Sequence, residues 1–192
     1  MTRTIVLASS SPRRQELVRN LGLNALVIPS QVDEEADPGL APWQIVEELA
    51  LRKADSVAQK HEDAIVIGSD TIVVLDGDIL GKPRDEADAL DMLRRLQGRT
   101  HEVFSGIACV DARAKLRAVR HARTIVRMKP LSDEQIRRYI ATGEPMDKAG
   151  SYAIQGIGAT IVTGIEGDYF NVVGMPLHLL SEMLSQFGVN IL

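Results

Sequence analysis

Ala64-Ile65-Val66-Ile67-Gly68 is a continuous apolar run about a third of the way along the chain, with no residue to turn toward water. A strand of that kind has to be covered on both faces, which helices on the two sides of a sheet achieve and a half-solvated antiparallel sheet does not. The flanking segments supply those helices. Thr4 to Ala8 reads as a strand and Arg13 to Leu21 as a helix, with Ser11 as N-cap, Pro12 at the first helical position and Gly22 as the stop. Asn24 to Ile28 reads as a short second strand, followed by an acidic loop from Gln31 to Pro42. Pro42 and Trp43 open a long helix to about Lys60, and its apolar stripe of Val46, Leu49, Ala50 and Val57 carries Lys53 on or beside it.

Beyond the apolar run, Ile72 to Leu75 and Ile79 to Leu80 flank Asp76-Gly77-Asp78, a strong hairpin signal. A helix from about Asp85 to Leu96 follows, then two long strands near Glu102 to Val110 and Ala118 to Met128. Ser132 with Gln135 forms a capping-box pattern opening a helix to Gly143, and Pro176 starts a last helix after a glycine-rich stretch from Met146 to Gly174. Strands and helices alternate with hairpins inserted, which predicts an α/β fold with a mixed sheet. At 192 residues, against about 150 per domain, a single domain over 1–192 is expected.

Composition limits the partners. With 22 Lys+Arg against 26 Asp+Glu the net charge is −4, opposite to the basic excess that nucleic-acid polymers require. Cys109 is the only cysteine, so no intrachain disulfide can form and a reducing cytoplasm is expected. Ile5 to Ala8 is too short for a signal-peptide core and no membrane-length apolar stretch occurs, so no membrane association is expected.

Arg13 and Arg14 sit in the first turn of the first helix, where the backbone is already partly positive. An anion held by backbone N–H groups, the hydroxyls of Ser9 to Ser11 and an arginine would offset them, and phosphate suits that arrangement. Two solvated arginines on a surface helix explain Ser11-Pro12-Arg13-Arg14 equally well. Gly68-Ser69-Asp70-Thr71 places a carboxylate and a hydroxyl directly after the apolar strand, and ligand sites of α/β sheets gather at the carboxyl ends of strands. Asp33, Glu34 and Glu35 add carboxylates that, with Asp70, offer oxygen ligands to Mg²⁺. Gly81-Lys82-Pro83 lacks P-loop spacing, yet Lys82 can act as a point charge on a phosphate. Lys148 lies in a glycine-framed segment with Gln155, whose amide has the donor and acceptor needed to read a nucleobase edge. The four histidines show no zinc spacing, Cys109 reads as inert core, and Met175, Met183 and Leu184 read as packing.

Six segments together, Leu7-Ala8-Ser9-Ser10-Ser11-Pro12-Arg13-Arg14, Gly68-Ser69-Asp70-Thr71, Gly81-Lys82-Pro83, Lys148-Ala149-Gly150-Ser151-Tyr152, Ile154-Gln155-Gly156 and Asn171-Val172-Val173-Gly174-Met175-Pro176, resemble the Maf family of nucleotide pyrophosphatases in order and nearly end to end. The resemblance implies a fold like that of the inosine triphosphate pyrophosphatases, an elongated mixed sheet flanked by helices in two lobes with a central cleft. It implies hydrolysis of a nucleoside triphosphate to the monophosphate and pyrophosphate, dependent on a divalent cation (Mg or Mn), by a homodimer. Position by position, Asp70 matches the catalytic carboxylate that activates water, Arg13, Lys53 and Lys82 match phosphate-binding cations, and Glu34 matches an acidic active-site residue that would share metal binding with Asp70. Arg13, Thr71 and Gln155 match positions marking the branch that acts on dTTP and UTP. Ser9 and Lys148 join the expected substrate contacts. Two other readings compete: a nucleotide-sensing regulator of cell division that binds without turnover, and the same reaction with another base preference.

Overall fold

The computed structural model describes residues 3–192. β1 (Thr4–Leu7) pairs in parallel with β2 (Ala25–Val27) on one side and β3 (Ala64–Leu75) on the other, with Ile5 opposite both Ala25 and Ile65. Parallel neighbours need crossovers. α1 (Pro12–Asn20) supplies one and α2 (Pro42–Ala58) the other. Ser11 caps α1 by accepting from the Arg14 N–H at 3.4 Å, with Pro12 first in the helix as expected. At the start of α2 the Gln44 side chain accepts from the Ala41 N–H at 2.9 Å.

β4 (Asp78–Leu80) returns antiparallel on β3 through Asp76-Gly77, both at positive φ (52° and 87°), which is the primed turn that matches strand twist. Then follow α3 (Glu86–Leu96), β5 (Thr100–Asp111), β6 (Leu116–Met128), α4 (Asp133–Ala141), three short 3-10 helices (Glu144–Asp147, Ala149–Ser151 and Gly156–Thr160), β7 (Val162–Glu166), α5 (Tyr169–Val173) and α6 (Leu177–Ser185). The strands form one seven-stranded mixed sheet in the order β2-β1-β3-β5-β6-β7, with β4 on β3. Ser132 and Gln135 form the expected reciprocal cap of α4. Met175, Met183 and Leu184 are fully buried, and burial pushes the Cys109 thiol up to about 12.

One expectation is corrected. The sequence predicts a strand ending at Gly68 and a second one starting at Ile72, but β3 is a single strand of 12 residues running through Ser69, Asp70 and Thr71. Asp70 therefore lies within a strand and not at its carboxyl end. The polar residues are tolerated because each has a partner inside the protein: Ser69 and Asp70 are buried and hydrogen-bonded.

The chain divides into two units, one of residues 1–70, 105–122 and 174–192 and the other of residues 71–104 and 123–173. In the first, Val6, Val66, Ala108 and Val110 of the sheet, with Ala8 just past β1, pack against Ala50, Ala54 and Val57 of α2. In the second, Val73, Leu75, Val103 and Val126 pack with Leu93 and Leu96 of α3 and with Ile136, Tyr139 and Ile140 of α4. Among the described residues no helix is long and apolar enough to cross a membrane.

The second unit contains one buried histidine. His101 is 2% exposed; its Nε2 shares a hydrogen bond with the Tyr152 hydroxyl at 2.6 Å, and its Nδ1 has no partner among the described residues. Burial lowers its pKa from 6.5 to about 4. The folded state thus resists protonation that the unfolded chain accepts, so stability is intact above about pH 6.5 and is lost as pH falls toward 4. The loss amounts to about 3 kcal/mol from this group. Urea unfolding at pH 7 and pH 4.5 should show it, and a His101→Gln protein should lose less stability between the same two values.

Candidate active site

Strand alternation puts Gly68 and Asp70 on one face of β3 and Ser69 on the other. α2 covers the Gly68 face, and the approach is close. A Cβ on Gly68 would lie 2.2 Å from the Ala50 carbonyl oxygen and 2.8 Å from the Ala54 nitrogen, and one on Gly106 of β5 would lie 2.2 Å from the Val46 carbonyl oxygen. Two adjacent strands therefore seat the helix on glycines. Residues 50, 53 and 54 share a helix face, so the same seat lowers Lys53 onto Asp70. The Lys53 ammonium donates to Asp70 Oδ1 at 2.7 Å and also pairs with Glu34 Oε1 at 2.6 Å. Lys53 is 6% exposed and Asp70 8%. Charges so buried persist only when paired.

Glu34 comes from the acidic loop, and α2 holds that loop. Arg52, next to Lys53, donates through Nη1 to the Asp33 and Glu35 carbonyl oxygens at 2.8 and 2.9 Å and pairs with Glu48. Asp33 meanwhile accepts from the Glu35 N–H. Of the three loop acids, Glu34 alone reaches Lys53. Arg52 was not singled out from the sequence, since a lysine-arginine pair on a helix carries no local signal of what it clasps.

The two arginines of α1 separate. Consecutive helical residues point about 100° apart, so one can turn inward while the other does not. Arg14 turns inward: its Nε donates to the Gly174 carbonyl at 2.9 Å and its Nη1 to the Ser69 carbonyl at 3.0 Å. Ser69 Oγ donates to the same Gly174 oxygen at 3.3 Å. Burial lowers the Arg14 pKa, and the nearby charge of Asp70 partly restores it. Arg14 is a tie between α1, β3 and the residue preceding Met175, one residue from Asp70 along the strand. Arg13 makes no hydrogen bond or ion pair among the described residues, which leaves it the arginine able to meet an anion. Ser9 is buried and its Oγ accepts from the Ser11 N–H at 3.2 Å, shaping the turn into the helix.

In the second unit, Thr71 follows Asp70 in β3 and is half-buried. Lys82 is exposed, and the carbonyl of its neighbour Gly81 accepts from the Gly150 N–H at 3.0 Å, joining the Lys82 segment to that of Lys148. The Lys148 ammonium donates to the Glu144 carbonyl and to Asp147 Oδ1, each at 2.7 Å. Gln155 is half-buried, and its side chain makes no hydrogen bond among the described residues.

The Glu34, Lys53 and Asp70 cluster has one positive and two negative charges. Among the described residues no group of three or more His, Cys, Asp or Glu side chains could hold a metal. Two carboxylates with an excess negative charge, Glu34 being 60% exposed at its side chain, still fit a hard divalent cation, which uses few protein carboxylates and completes its shell with water and phosphate oxygens.

The family described as Maf-like protein matches residues 4–187. Relatives similar to the chain include a dTTP/UTP pyrophosphatase from Pelotomaculum thermopropionicum, 54% identical over 98% of each chain, and one from Symbiobacterium thermophilum, 54% identical over 96% of this chain and 94% of the relative. Among solved structures, the Staphylococcus aureus Ham1 protein aligns over 96% of this chain and 99% of its own with a TM-score of 0.55 at 14% identity. A HAM1 protein from Coxiella burnetii aligns over 96% and 100% with a TM-score of 0.53 at 16% identity. These two likenesses concern the fold.

Proposed function

Since the chain belongs to the Maf-like protein family, we propose that it hydrolyses nucleoside triphosphates, dTTP and UTP foremost, to the nucleoside monophosphate and pyrophosphate. The observation that carries this reading is the buried Lys53 ammonium bridging Asp70 and Glu34. Phosphoanhydride hydrolysis needs positive charge on the phosphate oxygens, a positioned water and an acceptor for its proton. Lys53 fixes the orientation of the Asp70 carboxylate, whose second oxygen takes the proton of the attacking water as the new P–O bond forms and the α–β bridging bond breaks. Arg13, Lys53 and Lys82 neutralise the triphosphate. Ser9 and Lys148 complete the substrate contacts, while Thr71 and Gln155 address the pyrimidine. A divalent cation, Mg²⁺ or Mn²⁺, would be held by Glu34 and Asp70 and would offset phosphate charge when bound.

The purified chain, given Mg²⁺ and a panel of dTTP, UTP, CTP, GTP and modified pyrimidine nucleotides, should release pyrophosphate fastest from dTTP and UTP, and chelation should abolish release. No pyrophosphate from any nucleotide would overturn the reading in favour of binding without turnover. A cytoplasmic homodimer accompanies this proposal; light scattering should then give about twice the chain mass of 21.0 kDa.

A further inference from the structure

In the second unit the Glu144 carboxylate accepts from three different residues. Its Oε1 accepts from the Tyr139 hydroxyl at 2.7 Å and from the Gly158 N–H at 2.8 Å, and its Oε2 accepts from the Ile157 N–H at 3.0 Å. The Tyr139 oxygen in turn accepts from the Ala153 N–H at 3.1 Å. One carboxylate and one hydroxyl thus grip the backbone on both sides of Gln155, at residue 153 before it and at residues 157 and 158 after it.

The grip is built into the local sequence. Gly156 has φ +65°, and a Cβ there would lie 2.5 Å from Glu144 Oε2; a Cβ on Gly158 would lie 1.9 Å from the Ala153 carbonyl oxygen and 2.6 Å from the Tyr139 hydroxyl. Only glycines let the segment fold back onto these two side chains. Glu144 is itself held: its N–H donates to Thr142 Oγ1 and its carbonyl oxygen accepts from the Lys148 ammonium. Burial works against the Glu144 charge, but the bonds from Tyr139, Gly158 and Ile157 together with the Lys148 charge outweigh it and keep the carboxyl below its ordinary range. Bonds from backbone N–H groups to a carboxylate are charge-assisted and stiff.

Between the two anchors the Gln155 amide makes no bond to the described protein. A uracil or thymine edge presents an N–H donor beside a carbonyl acceptor, which match the carbonyl and NH₂ of a glutamine amide. The amide reaches that edge only if the backbone that carries it is held in a fixed place. We infer that Glu144 and Tyr139 are positioning residues: by holding the backbone on both sides of Gln155 they fix where its side chain starts, and so its reach to a uracil or thymine edge. The inference rests on Gln155 reading the base.

The test compares kcat/KM for UTP and CTP in Glu144→Gln, Tyr139→Phe, Gln155→Ala and the Glu144→Gln/Gln155→Ala double variant of the full chain. Glu144→Gln replaces one acceptor oxygen by a donor, and Tyr139→Phe removes the hydroxyl without a large change of shape. Each should lower the UTP-to-CTP ratio about tenfold, the cost of about one charge-assisted bond, chiefly through a higher KM for UTP. In the Gln155→Ala background Glu144→Gln should leave the ratio where Gln155→Ala put it. A purely structural staple predicts instead equal losses on both nucleotides and a ratio that stays put in both single variants; that result overturns the inference. A further drop of the ratio in the double variant overturns it as well, because Glu144 would then act without Gln155. If Gln155→Ala itself leaves the ratio unchanged, the base-reading assignment fails and takes this inference with it. A lowered ratio in Gln155→Ala alone, with both positioning variants normal, rejects the positioning role and spares the assignment.

Discussion

Asp70→Asn is expected to lower kcat/KM for dTTP by about a thousandfold, within the range that removal of a general base produces. The substitution is isosteric, and the amide oxygen can still accept from the Lys53 ammonium now 2.7 Å from Oδ1. What it removes is the negative charge and the acceptor for the proton of water. Lys53 keeps Glu34 as counter-ion at 2.6 Å, so the variant should remain folded, with a cost of about 1–3 kcal/mol for weakening a buried pair. Initial rates over a range of Mg²⁺ concentrations, together with a thermal melt, separate the two effects. A variant that melts normally and still turns over dTTP at more than a tenth of the original rate would remove Asp70 from the chemistry.

The second large effect is expected from one methyl group. Gly68→Ala places a carbon 2.2 Å from the Ala50 carbonyl oxygen and 2.8 Å from the Ala54 nitrogen. Both are backbone atoms of α2, so no side chain can rotate away and the helix as a whole has to lift. Overpacking of this kind costs about 1–3 kcal/mol or more. The displacement carries Lys53 off Asp70, and a misplacement of about 1 Å in a reacting constellation lowers rates about a hundredfold. Gly106→Ala should act in the same way through the Val46 carbonyl. Gly81→Ala gives the comparison for stability: its Cβ meets nothing within 4 Å, and urea unfolding should find it within about 0.5 kcal/mol of the unaltered protein. Nearly unchanged unfolding of Gly68→Ala would mean that α2 is not seated on these glycines.

The glycine seat also shows where sequence reading stops. The stripe of α2 was legible because apolar residues recur at helical spacing, and Lys53 was legible as lying on it. Nothing in that spacing tells that Ala50 and Ala54 meet a glycine of β3, because the contact joins residues far apart in the chain. The same gap explains β3 itself. Ser69-Asp70-Thr71 reads as the end of an apolar strand when only neighbours are considered, whereas the strand continues because Lys53 and Gly174 satisfy its buried polar groups.

Arg13 and Arg14 make the point at a single helix end. Their position in the first turn of α1 is readable from Ser11 and Pro12, and the excess of positive charge there fits an anion as well as it fits two solvated arginines. Which arginine would meet an anion was not readable, since the answer depends on the carbonyl groups of Ser69 and Gly174 that claim Arg14. Glu34 stands apart from Asp33 and Glu35 for a similar reason: Arg52 and Lys53 grip the loop from α2.

By itself the sequence determined the types of the elements up to α4 and of α6, the caps of α1 and α4 and the primed hairpin at Asp76-Gly77, but not β7 or α5 in the glycine-rich stretch before α6. Each feature it determined depends on residues a few positions apart, whose propensity, turn geometry and spacing act locally. Only the tertiary structure decided that Asp70 lies within a strand, that Lys53 bridges it to Glu34, that Arg14 is a tie and Arg13 is not, and that Glu144 grips the segment around Gln155. Those outcomes turn on how closely backbones approach and on which buried donor finds which acceptor, and both are settled only when distant parts of the chain pack together.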